Sequence, residues 1–401
     1  MKAGTASPSP AASAKTGRAR AEEVSLVTDQ SALDALLPEW TALFHAAQCP
    51  NPFAHPDWLS TWARHFVASD ELYMVTVRDG EGLLAVAPFY RRSHRLAGRT
   101  ALTRLGLLGT GRCAALTELP QILVRRGEER RALRATMGFL SSRDAEWDFV
   151  ELSLAPEHGW FEPEWLPNGA EARASVIPGG AMACVVLPLP PAGTELFPSL
   201  KRNVKESVRR GRNRLARSER DWKVTSVDED SPELEAALGQ LARLHHARSQ
   251  MPGRIQHPDY LAPAATRAFL ADVAGPMARA GSLAVWLLEV EREPIAGLLV
   301  LGANGAVFIS SSGVDPEWWD FNPLTVLLAE VFQEAIHRGD RLANLSIGPT
   351  VAKLRWSEEL QIHHQFAVVG PRPRSHRAYS VYRHKQVAAE LRRERQRHKQ
   401  G

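Results

Sequence analysis

Apolar residues recur at two spacings along the chain, and the alternation between those spacings outlines its elements. Residues 24–27 read as a short strand. After it Leu33, Leu36, Leu37, Trp40 and Leu43 fall on one face of a helix, with Ser31 as its expected N-cap. A second helix opens at Pro56-Asp57 and carries Trp58, Leu59, Trp62 and Phe66 on one side. Apolar runs over 72–77 and 83–87 flank Arg78-Asp79-Gly80-Glu81-Gly82, which signals a hairpin. A strand over 102–108 then ends in Gly109-Thr110-Gly111, a stretch too short for a phosphate loop. A helix over 128–140 and a strand over 147–154 follow.

The same order appears again further on. A strand over 222–227 precedes two helices, roughly 232–247 and 257–280, and a hairpin formed by 283–290 and 294–301 around Glu291-Arg292-Glu293. A third apolar run over 306–312, a loop, a helix over 323–336 stopped at Gly339, and a strand over 342–347 complete it. The last strands of the two series even share letters, Glu151-Leu152-Ser153-Leu154 against Asn344-Leu345-Ser346-Ile347. The repeat predicts a duplicated α/β fold, each copy a mixed sheet flanked by helices. The expected organisation is a disordered leader over 1–21, a first lobe over 22–190 and a second over 195–370. A Pro-rich linker over 188–194 joins the lobes, and a basic tail over 371–401 ends the chain, with a mostly solvated helix over 382–397.

Composition narrows the possibilities. With 401 residues the chain exceeds one usual core. Its net charge of +4 is modest and concentrated in residues 201–217 and beyond Arg372, so no dispersed nucleic-acid face is required. Three scattered cysteines, Cys49, Cys113 and Cys184, argue against a disulfide framework and for a reducing compartment. No apolar run approaches a membrane span, and no apolar core follows Lys15 and Arg18 to make a secretion signal. A cytoplasmic protein is expected. Metal-ligand spacing, a Gly-x-Ser-x-Gly elbow and a helix-turn-helix pattern are all missing from the sequence.

Several stretches resemble one family. Asn51-Pro-Phe-Ala-His-Pro-Asp-Trp58, Val86-Ala-Pro-Phe-Tyr-Arg-Arg92 and Leu105-Gly-Leu-Leu-Gly109 look like the first half of CelD-type GNAT acetyltransferases. Leu241-Ala-Arg-Leu-His245, Pro294-Ile-Ala296, Gly313-Val-Asp-Pro316, Asn322-Pro323 through Leu328, and Ile347-Gly348 to Trp356 resemble its second half. The resemblance spans about residues 25–370 and rests on the order of the motifs. It implies tandem GNAT-like lobes related in architecture to Fem-type peptidyltransferases. It also implies acetyl-CoA or another acyl-CoA as donor, an amine as acceptor, and a link to polysaccharide or cell-envelope biosynthesis, while the missing metal-ligand spacing leaves no metal expected. Asn344, Ala352 and Leu324 depart from the family pattern, as does the lack of its glycine-rich pyrophosphate signature. Two rival readings follow: a non-catalytic GNAT-like binding module, and a Fem-type transferase using charged tRNA.

The residues themselves offer candidates for each role. A helix N-terminus holds phosphate through free N–H groups and its dipole. Asn322, Pro323, Leu324 and Thr325, with Ser312 and Gly313 before them, are the expected donor site, Asn322 serving as N-cap. His245 is the first acid–base candidate, with Asp315 and its neighbour Glu317 as loop carboxylates and Lys353 as a catalytic cation. Trp318, Trp319, Arg355 and Trp356 are the expected acceptor contacts, although Trp356 reads equally well as a core residue. The cations of 201–217 would attract an anionic substrate or simply form a solvated face.

Overall fold

The computed structural model describes residues 22–96, 99–111, 116–156, 161–162, 165–166, 174–251 and 257–400. The leader expected over 1–21 and Cys113 lie outside them. The first series comprises β1 (Glu23–Val27), α1 (Gln30–Ala46), α2 (Pro56–Phe66), β2 (Leu72–Asp79), β3 (Gly82–Leu96), β4 (Arg99–Leu107), β5 (Leu123–Val124), α3 (Glu129–Ser142), β6 (Phe149–Leu154) and β7 (Ser175–Pro188). Two helices, α4 (Leu196–Ser199) and α5 (Arg202–Arg217), lead into the second series. That series comprises β8 (Trp222–Val227), α6 (Pro232–Ser249), α7 (Ala264–Arg279), β9 (Leu283–Val290), β10 (Glu293–Ala303), β11 (Ala306–Val314), α8 (Pro323–Arg338), β12 (Leu342–Ile347), α9 (Val351–Leu354), β13 (Glu359–Val369) and α10 (Pro373–Gln400). With β5, α9 and α10 set aside, each series reads strand, helix, helix, hairpin, strand, helix, strand, strand. This is the mixed α/β fold expected from the repeat.

The strands form one sheet in the order β1-β2-β3-β4-β6-β13-β7-β12-β11-β10-β9-β8, with β5 on the side of β3. Pairings are antiparallel except β4 with β6 and β11 with β12, the two places where a helix (α3 or α8) crosses between parallel strands. At the centre the series exchange their last strands. β7 of the first lies against β12 of the second, and β13 of the second lies against β6 of the first. β7 and β13 also pair with each other from Glu359↔Val186 to Val369↔Ser175. Sequence reading identified neither strand. Pro178, Gly179 and Gly180 interrupt β7 with residues that argue against a central strand.

One face of the sheet is covered by α1, α2, α6 and α7, whose buried residues form a single core across both series. Trp58 of α2 meets Phe269 of α7 edge-to-face at 5.0 Å, and Phe53 meets Phe308 of β11 at 4.9 Å. On the other face the two series keep separate cores, one under α3 and one under α5 and α8. The N-cap of α1 is Asp29, which accepts from Ala32 N at 2.9 Å, and not Ser31. The basic tail is also more anchored than its composition implied. Ser375 is fully buried against Asp148, while Tyr379 and Tyr382 pack on Phe149.

Candidate functional site

The site is made by two strands that part. β11 and β12 pair only over Ala306↔Leu342, Val307↔Ala343 and Phe308↔Asn344. Beyond these, β11 runs on to Val314 along β10, and β12 runs on to Ile347 along β7. A register shift sets Ser311 opposite Leu299 but Ile309 opposite Val300, so Ser310 bulges out of the ladder. The edge of β11 that faces the split is therefore left without a neighbouring strand over 309–314.

Helix α6 closes one side. Gly313 permits this, since a Cβ there would lie 2.4 Å from the backbone nitrogen of His245. Gly313, a candidate donor contact, thus owes its identity to the helix crossing over it. His245 Nδ1 donates to the Ser312 carbonyl at 2.9 Å, and its Nε2 accepts from Tyr260 N at 3.3 Å. Both ring nitrogens are engaged and the ring is 1 % exposed, so no lone pair of His245 faces a substrate. Burial holds its pKa below the ordinary histidine value. His257, its ring 4.6 Å away, is pulled down to about 4 by burial and by the charge of Arg248. Arg248, one turn beyond His245, bonds Ser312 through both its carbonyl and its hydroxyl.

The other side gathers around the end of β12, where Ser346 takes φ 73° and Gly348 φ 82°. Glu118 reaches here from the first series. Its Oε2 accepts from Ser346 Oγ at 2.5 Å and from Ile347 N at 2.9 Å. Burial raises the Glu118 carboxyl above the usual carboxylate range. The loop carrying it is held from behind: Trp58 Nε1 donates to Thr117 Oγ1 at 2.9 Å, and Gly109, at φ 88°, leaves the space that Thr117 fills. Lys353 of α9 donates to the Ile347 carbonyl at 2.5 Å, and burial pulls its ammonium below the usual lysine range. Beneath them the Cys184 thiol is pushed up to about 12, first by burial and then by Glu118, so it stays protonated.

The start of α8 differs from its expected form. Asn322 sits in the left-handed region (φ 52°) and makes no side-chain cap. Its carbonyl instead takes the N–H groups of Thr325 and Val326 at 3.0 and 3.2 Å, while Pro323 has none to offer. Gly211 of α5 packs directly on Phe321 O and Val326. The cations expected to attract anions lie beside this tip. A groove of about 460 Å³ is lined by Glu206, Arg209, Arg210, Asn213, Arg214 and Arg217. Arg202 and Arg212 are paired with Glu206 and Glu330, whereas Arg214 donates to the Asp320 carbonyl and Arg209 lies over Phe197.

The remaining candidates scatter. Asp315 caps a 3-10 turn over Pro316–Phe321 by accepting from Glu317 N at 3.0 Å. Trp318 and Trp319 lie partly buried on the core below α8, with Arg220 stacked over Trp318. Trp356 is 6 % exposed, edge-on to Phe332 at 5.2 Å, which is the core reading of that residue. Arg355 turns away from Lys353 to Ser207 and Asn203 of α5. Glu118 and Arg248 were not among the sequence candidates. Arg248 had a signal: it extends the stripe Leu234, Ala237, Leu241 and Leu244 on α6 by one further turn, as a cation where an apolar residue is due. Glu118, in the irregular Leu116-Thr117-Glu118-Leu119, had none.

Residues 202–354 match the family model of an acetyltransferase (GNAT) domain. The GNAT segment runs from the first residue of α5 to the last of α9 and holds the split, Arg248 and Lys353. Glu118 lies outside it. No curated protein matches the chain. Among solved structures, FemX is 10 % identical with a TM-score of 0.55, over 88 % of this chain and 98 % of that one. A tandem GNAT protein from the clavulanic acid biosynthesis pathway is 12 % identical with a TM-score of 0.41, over 88 % of this chain and 100 % of that one. L-PGS from Bacillus licheniformis is also 12 % identical with a TM-score of 0.41, over 88 % and 100 %. At such identities the likeness to FemX is one of fold. The GNAT segment supports acyl transfer as the general chemistry. No helix among the described residues is long and apolar enough to cross a membrane. Among the same residues no cluster of His, Cys, Asp or Glu could hold a metal ion.

Proposed function

We propose that the chain is a GNAT-type N-acyltransferase that moves an acyl group, acetyl being the simplest, from acyl-CoA to an amine within the split between β11 and β12. The observation that carries this reading is the unpaired edge of β11 beyond Phe308, with Glu118 and Lys353 gathered at the end of β12, the strand that parts from it. An extended pantetheine arm carries amide groups that such an edge can bond as a missing strand would. The donor's phosphates would meet the arginines of α5 beside the start of α8, a tip with no side-chain cap of its own.

The chemistry is direct attack. The amine nitrogen bonds to the thioester carbon, the C–S bond breaks and the thiolate leaves. The ammonium proton must go elsewhere, and Glu118 is the nearest group suited to take it. Its raised pKa places it closer to the working range of a general base. Lys353 sets a positive charge where negative charge develops, and His245 fixes Ser312 and therefore the edge. Asp315 keeps its structural place as a cap. Polysaccharide or cell-envelope precursors remain the acceptor class implied by the CelD resemblance.

The test is thiol release from acetyl-CoA in the presence of a panel of amines. Amine-dependent release supports the reading. Binding of acetyl-CoA without release on any amine favours a non-catalytic module. The arginine groove of α5 favours the charged-tRNA reading as the second choice, and steeply salt-dependent tRNA binding would be its mark.

A further inference from the structure

The split holds more positive charge than its own carboxylates balance. Arg248 is half-buried at the open edge of β11, with Nη1 on the carbonyl and hydroxyl of Ser312. Among the described residues no carboxylate pairs with it, and burial alone accounts for its lowered pKa. Asp259, the acid beside His245, is taken by His246 at 2.8 Å. Lys353 lies close enough to feel its charge, as does His257. Glu118 is a single carboxylate against these two cations, and it is already bonded to Ser346 and Ile347. Taking a guanidinium partly out of water is unfavourable unless an anion accompanies it. Fixed by Ser312, this one has the rest of its planar fork left for a bidentate partner.

We propose that Arg248 binds an oxyanion carried by the acceptor, so that the acceptor is an amine bearing a carboxylate or phosphate a few atoms from its nitrogen. This rests on the acyltransferase reading and adds the class of its second substrate. Arg248 and Glu118 stand on opposite walls of the split, the first beside β11 and the second at the end of β12. An acceptor held by its anion at Arg248 presents its amine toward Glu118 and toward the thioester lying along the edge between them. The same anion neutralises the excess charge of Arg248 and Lys353. A neutral amine gains neither contact.

The experiment compares matched acceptors with acetyl-CoA: glycine against glycinamide, and glucosamine 6-phosphate against glucosamine. It is run on the full chain, on Arg248→Ala and on Arg248→Gln, which keeps a donor for Ser312 should the alanine variant fail to fold. Acetyl-CoA binding is measured separately by calorimetry on each protein. The inference expects the anionic member of at least one pair to be preferred by about tenfold or more in kcat/KM. That gap should close in the Arg248 variants mainly through KM, with acetyl-CoA still bound. The pair that shows the gap tells carboxylate from phosphate. Equal use of both members, a preference that survives in the variants, or acetyl-CoA binding with neither anionic amine acylated each overturns it. Failure of the full chain to bind acetyl-CoA removes the acyltransferase reading itself, a separate result.

Discussion

Glu118 accepts the hydroxyl proton of Ser346 at 2.5 Å, although 228 positions separate them in the chain. The first series therefore contributes a carboxylate to a site whose other parts lie in the GNAT segment. Replacing Glu118 with Gln keeps an acceptor for Ser346 and Ile347 but removes the proton acceptor. A general base contributes on the order of 10²- to 10⁴-fold. Glu118→Gln should lower kcat by a factor in that range while acetyl-CoA binding changes little, as measured by steady-state kinetics and calorimetry.

The same substitution should stabilise the protein near neutral pH. Burial raises the folded pKa of Glu118 above its unfolded value of 4.5. Its contribution is therefore fully present below that value and is lost as pH rises through the folded pKa. Glutamine carries no such penalty. Melting curves at pH 7 should show a higher Tm for Glu118→Gln than for the parent, and the difference should shrink toward pH 4.

His55 acts in the opposite sense. Its Nδ1 accepts from Asp57 N at 3.2 Å to cap α2, and burial lowers its pKa from 6.5 to about 4. The unfolded chain takes up that proton first, so stability is present above 6.5 and is lost as pH falls toward 4. The full shift corresponds to at most about 3 kcal/mol. His55→Asn keeps a capping oxygen without the titration, and should flatten the pH dependence of unfolding in that window.

Gly313 lies under α6 with no room for a side chain. A methyl group 2.4 Å from His245 N would push the helix off β11 and with it His245 and Arg248. Gly313→Ala should cost about 1–3 kcal/mol in denaturant unfolding. It should also reduce transfer more than a stability loss of that size explains.

The tail can be tested by truncation. Asp148 is fully buried and bonded by Thr103 N, Ser375 Oγ and Arg374, with Arg372 at 3.6 Å. Ending the chain after Pro371 leaves that carboxylate with Thr103 alone. A buried charge stripped of its partners typically costs about 3–5 kcal/mol. The truncated protein should melt well below the full chain, and Asp148→Asn should recover part of the loss.

Much of this architecture is legible from periodicity because most elements bury one clear face. Trp58, Leu59 and Trp62 on α2, and the continuous apolar runs of β9 and β10 on either side of a charged turn, identify themselves, as does the doubled order of elements. What periodicity missed is what depends on the partner half. Nothing local in Ser175-Val-Ile-Pro-Gly-Gly180 marks a strand, because β7 is held in place by β13 and β12. Asp29 caps α1 where Ser31 was expected, because both are good capping residues and only the backbone decides between them. In the site, Lys353 and His245 were visible as residue types at helical or motif positions. Glu118 was not, since its role arises from a contact across the whole chain. Asn322 had the composition of an N-cap, but its left-handed backbone turned its carbonyl, and not its side chain, toward the helix.

The central claim is that a thioester donor lies along the open edge of β11. Hydrogen–deuterium exchange with and without acetyl-CoA reads that edge directly, because those amides over 309–314 that point into the split, away from β10, have no strand to bond them. The account predicts that acetyl-CoA slows exchange in that segment and around the start of α8, while β4 of the first series is unaffected. Bound acetyl-CoA with unchanged exchange over 309–314, or with protection confined to the first series, would contradict it.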